Sequence, residues 1–104
     1  MAQFDVYENR NVETKESIPF ILDLQAELLD NLATRVVVPL VTVAAMGKAA
    51  KHLNLQFEIN GTTVIMSTAE LAGVSLQALG DRVASLKERR AEIIAALDFL
   101  FTGF

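Results

Sequence analysis

"LNLQFEINGTTVIMST", residues 53–68, carries the strongest local signal in the chain. Asn60-Gly61 stands between two runs of alternating apolar and polar side chains. That is the pattern of a two-residue type I′ hairpin, whose turn needs positive φ at both central positions. The turn sets the register: Ile59 opposite Thr62, Phe57 opposite Val64 and Leu55 opposite Met66 share one face. Glu58 with Thr63 and Gln56 with Ile65 share the other. The first face is nearly all apolar, so the hairpin must pack against something, and a mainly β fold is read outward from it.

Upstream, "RVVVPLV" from Arg35 to Val41 is a run of β-branched residues of the kind that forms a strand buried on both faces. Pro39 within it lacks a ladder donor and implies a bulge or an edge. Ile18 to Gln25 reads as a second strand, with Asp23 and Gln25 alternating against Leu22 and Leu24 as on a half-buried face. Phe4 to Tyr7 is a short strand, and the polar stretch Glu8 to Ser17 and the acidic-apolar stretch Ala26 to Thr34 are loops. Val43 to Lys51 suits a short Ala-rich helix despite Gly47.

Downstream, Thr68 to Gly80 reads as turns around a strand at Val74 to Ala78. Ser85-Leu86-Lys87-Glu88 matches a capping box. Beyond it Leu86, Ile93, Leu97 and Leu100, joined by Ile94 and Phe101, form a helical stripe, predicting a helix from about residue 86 to about 101 with Gly103 as its stop.

With 104 residues the chain fits one domain, 1–104. Hydrophobic residues are 52% of it and the mean hydropathy is +0.36, an excess that points to a buried interface between protomers and a homodimer. No window reaches the roughly 18 apolar residues of a membrane span. The opening Met1-Ala2-Gln3-Phe4-Asp5 is unlike a signal peptide, so a cytoplasmic location is expected. The absence of cysteine excludes disulfides and thiolate metal sites.

Nine Lys and Arg stand against thirteen Asp and Glu, for a formal net charge of −4. The one basic cluster, Arg82, Lys87, Arg89 and Arg90, is interleaved with Asp81, Glu88 and Glu92 and reads as a solvated face, so no direct nucleic-acid binding is expected. His52 is the only histidine and has no neighbouring ligand set, so it is assigned to surface or packing, and no metal or cofactor is expected. Ser67, Ser75 and Ser85 have no triad context. Asp23 and Glu27 are explained by strand alternation and a polar loop rather than as a catalytic pair. The residues therefore describe a protein that is not an enzyme.

The chain closes on "FLFTGF", residues 99–104, an uncharged end for an acidic protein. Leu97, Leu100 and Phe101 lie on the apolar stripe and are expected to pack. Phe104, beyond the glycine, is off that register and suits recognition of a partner.

Four segments, "QFDVYEN", "ILDLQAELLDNLATRVVVPL", "EINGTTVIMSTAELAGV" and "AEIIAALDFLFTGF", resemble the CcdB family of bacterial toxin–antitoxin toxins that poison DNA gyrase. The resemblance implies an SH3-like, strongly bent antiparallel barrel with a small hairpin sheet and one C-terminal helix, assembled as a homodimer. It implies a plasmid-maintenance type of toxin that binds the two DNA gyrase A subunits, traps the cleaved gyrase–DNA complex and is neutralised by a CcdA-like antitoxin. The gyrase-binding surface carried over by position consists of Leu28, Asp98, Thr102, Gly103 and Phe104. The best-known plasmid-borne member has tryptophan and isoleucine where this chain has Thr102 and Phe104, and asparagine where it has Asp98. Two other readings share the fold: an endoribonuclease toxin of the MazF or Kid type, for which Arg35 and His52 are the available groups, and a non-toxic relative that keeps antitoxin binding.

Overall fold

The Asn60-Gly61 turn adopts positive φ at both residues, 50° and 82°, and joins β4 (Gln56–Ile59) to β5 (Thr62–Met66) in the register read from the sequence. The structure is a computed structural model that describes residues 2–26, 32–49 and 53–103. The preceding elements are β1 (Asp5–Asn9), β2 (Phe20–Asp23), β3 (Thr34–Thr42) and the single-turn α1 (Val43–Met46). After the hairpin come β6 (Ala72–Ser75), β7 (Leu79–Ser85) and α2 (Arg90–Thr102). Short 3-10 turns at Thr68–Glu70, Leu76–Ala78 and Lys87–Arg89 link them.

All seven strands form one curled antiparallel half-barrel in the order β4-β5-β3-β2-β1-β7, with β6 also on β3. β3 is the hub, because one of its edges serves two partners in succession. Thr34 to Val37 pair with β6, and Leu40 to Thr42 pair with β5. Pro39 falls between those two pairings. The backbone of Val36 faces the β2 side, where its N–H and C=O are both used, so alternation turns Pro39 to the other side. There its missing donor coincides with the change of partner, and its carbonyl accepts from the Ser67 N–H at 3.0 Å. Pairing with β2 runs through Pro39 without a break, so neither a bulge nor an outer edge is needed.

Successive residues of the central strands feed two clusters. Val6, Leu22, Val38 and Leu40 join Phe4, Phe57, Ile59, Val64 and Met66 under α2, which contributes Ile93 and Ala96. Tyr7, Ile21, Val37 and Leu79 form a smaller cluster on the opposite face. β3 is thus buried on both faces along its middle but not at its start, where Val36 is exposed and Arg35 is buried.

Further sequence expectations are corrected. The strand placed at Val74 to Ala78 lies earlier, at Ala72–Ser75, and β7 was not anticipated. β7 pairs with β1 through two register shifts, so its side chains lack the alternation that marks a strand. Gly80 lets the strands approach: a Cβ there would lie 3.0 Å from both the Cβ and the carbonyl oxygen of Glu8. Ser85 is not the N-cap of α2. Its hydroxyl accepts from the Lys87 N–H at 3.3 Å, opening the 3-10 turn, and α2 begins three residues later than that turn.

Candidate functional site

Ile93 and Ala96 are fully buried and fix α2 onto the main cluster, with Ile94 and Leu97 at its margins. The last turn extends past this anchorage, and Asp98, Phe101, Thr102 and Gly103 are all exposed. Gly103 ends the helix in the left-handed conformation, φ 76°, with its N–H donating to Phe99 O at 2.9 Å. The Thr102 hydroxyl donates to Asp98 O at 2.6 Å, so it is held by the backbone of its own helix.

Phe101 departs from expectation: the ring assigned to the core is 71% exposed. At the helical period it lies about 80° around the axis from Ile93, on the edge of the stripe. In the same last turn Phe99 and Leu100 are half-buried, so the covered side of the helix lies away from that edge. Its angular offset was the available signal, obscured by its membership of an apolar stripe.

Asp98 precedes Phe101 by three residues, so carboxylate and ring are neighbours on the helix surface. The carboxylate sits at the negative end of the helix dipole, and the last turn contains no basic residue. An exposed ring beside this concentration of negative charge suits a partner surface presenting a cation and an apolar stem. Of the predicted site residues, the structure brings Asp98, Thr102 and Gly103 together; Leu28 and Phe104, like His52, lie outside the described residues.

Two members of the basic cluster, Arg89 and Arg82, are engaged elsewhere. Arg89 donates to both carboxylate oxygens of Glu92 at 2.8 and 2.7 Å, and its guanidinium lies 4.7 Å from the centre of the Phe57 ring. This hydrogen bonding holds the Glu92 carboxyl below its ordinary value and raises Arg89. Arg82 pairs with buried Asp5 at 3.0 Å.

Arg35 is also committed. Its guanidinium donates to Asp23 Oδ2 at 2.6 Å, Asp23 Oδ1 at 3.3 Å and Gln25 O at 3.1 Å, all within the fold. A groove of about 340 Å³ on the face of the smaller cluster is floored by Ile21, Val37, Pro39 and Val74. Asn9, Asn11 and Glu70 stand at its rim, and its described lining includes no cation. Among the described residues no three His, Cys, Asp or Glu side chains cluster as a metal site would require.

A family model described as CcdB protein matches residues 3–103. The chain belongs to the CcdB family. Its Asp-Leu-Gln segment, residues 23–25, and its Arg-Val-Val-Val-Pro-Leu segment, residues 35–40, are the two that build the buried Arg35 network. As a CcdB chain it is a toxin of the toxin–antitoxin class, in which an antitoxin is the partner. No helix among the described residues is long and apolar enough to cross a membrane.

Proposed function

We propose that this CcdB-family toxin, a single domain over 1–104, acts by binding and performs no catalysis of its own. A homodimer presents its helix ends to the DNA gyrase A subunits, holds the enzyme on cleaved DNA, and is released by a CcdA-like antitoxin. The observation that carries this reading is the exposed Phe101 ring beside Asp98 in the last turns of α2. A large aromatic with a polar surround is the composition of an interface anchor. Thr102 has no ring to stack, and Phe101 supplies one a residue earlier. Exposed Leu32, Val36 and Leu76 near the shared end of β3 and β6 support the dimer, because Leu76 N–H donates to Ala33 O and draws these segments together.

The ribonuclease reading loses support at Arg35, which is 1% exposed and cannot reach a substrate. The test uses purified gyrase, supercoiled plasmid and ATP. The protein should accumulate gyrase-dependent double-strand breaks and leave RNA intact, and deletion of Thr102, Gly103 and Phe104 should abolish the breaks. RNA cleavage without trapped gyrase would reassign it, and inactivity on both with antitoxin binding retained would make it a non-toxic relative.

A further inference from the structure

We propose that Asn60 is a site of spontaneous covalent modification: the folded protein converts it to aspartate and isoaspartate at the hairpin tip. In such a reaction the Gly61 amide nitrogen, having given its proton to a solvent base, bonds to Asn60 Cγ. The Cγ–Nδ2 bond then breaks and ammonia leaves. The resulting five-membered imide adds water at one of its two carbonyls. Opening at one carbonyl gives aspartate; opening at the other routes the main chain through the side-chain carbon and gives isoaspartate. Water is the sole co-reactant, and no oxidant or reductant enters.

Reaction needs a free electrophile and an unhindered nucleophile, and the structure separates Asn60 from the other described asparagines on both counts. Asn9 donates its amide to Thr14 Oγ1 and Ile18 O, each at 2.9 Å. Asn11 accepts from the Glu13 N–H at 2.9 Å, and Asn54 donates to Met66 O at 3.0 Å. Each is followed by a residue with a bulky side chain, Arg10, Val12 and Leu55. The Asn60 side chain makes no hydrogen bond among the described residues, and neither does the Gly61 N–H. Both residues are exposed, and the space where a Gly61 Cβ would lie is empty to 4 Å.

The change also falls where the hairpin register depends on the turn. The two-residue turn holds Ile59 opposite Thr62, and the register behind it buries Phe57, Ile59 and Val64. An isoaspartate adds a backbone atom inside that turn, so the pairing set by its length is lost from the tip inward.

The experiment incubates the intact, folded protein at mildly alkaline pH, maps its peptides by mass spectrometry and assays isoaspartate enzymatically. Asn60 should lose its amide about tenfold faster than Asn9, Asn11 and Asn54, a ratio equivalent to about 1.4 kcal/mol in barrier. The aged protein should melt at lower temperature than fresh protein, whereas Asn60→Gly, which accepts the same turn, should keep its melting temperature through the same incubation. An Asn60 rate no greater than that of the other three overturns the proposal. So does an Asn60→Gly variant that loses stability on ageing as the wild type does.

Discussion

Arg35 and Asp23 bond across the β2–β3 pair with 2.6 Å between guanidinium nitrogen and carboxylate oxygen, and their side chains are 1% and 0% exposed. Gln25 closes the arrangement. Its N–H donates to Asp23 Oδ1, its carbonyl accepts from Arg35, and its side-chain oxygen accepts from the Val36 N–H. Two charges, an amide and three backbone groups thus satisfy one another where β2 ends and β3 begins. In the low-dielectric interior such a network ties down chain geometry more than it adds net stability.

Breaking it on one side should therefore be severe. Arg35→Met leaves a buried carboxylate without its cation and should lower unfolding free energy by about 3–5 kcal/mol. The combination with Asp23→Leu removes both charges and should cost less than Arg35→Met alone. Urea denaturation of the two variants measures this, and a double variant weaker than the single one would contradict it.

Phe101→Ala should leave stability within about 0.5 kcal/mol of wild type, as for other exposed positions. The same substitution should weaken gyrase trapping by about 2 kcal/mol or more, roughly thirtyfold in affinity. Ile93→Ala, on the buried side of α2, should instead cost about 2–5 kcal/mol of stability. A Phe101→Ala protein that poisons gyrase at wild-type potency would remove the ring from the interface.

Two glycines should separate by their surroundings. Gly80→Ala forces a methyl against the Glu8 backbone and should destabilise by about 1–3 kcal/mol. Gly73→Ala meets nothing within 4 Å and should lie within about 0.5 kcal/mol of wild type. Chemical denaturation of the pair gives the difference directly.

Tyr7 is the single tyrosine and the chain has no tryptophan, so phenolate absorbance reports on it alone. Burial, followed by the charges of Asp5 and Asp23, raises its pKa above the ordinary 10.0. The folded protein holds the phenol proton more tightly than the unfolded chain does. That contribution is full below pH 10.0 and is lost as pH rises through the folded value. A spectrophotometric titration should give a midpoint above 10.0, with stability falling over the same interval. A midpoint at or below the ordinary value would contradict it.

The amino-acid sequence by itself determined the hairpin, its register, the central strand and the helix stop, because each rests on chemistry within a few residues. Asn60-Gly61 needs only its own two φ angles, and Gly103 only its freedom to turn left-handed. Tertiary structure decided what depends on a partner distant in sequence. Asp23 looks like an ordinary alternating polar residue until Arg35, twelve positions on, is folded against it. Pro39 looks like a strand breaker until β6 gives way to β5 at that point along β3. Phe101 belongs to the apolar stripe of its helix, yet its ring is exposed while Phe99 and Leu100 in the same turn are half-buried. Periodicity assigns a side chain to a face; only packing decides which members of that face have a neighbour.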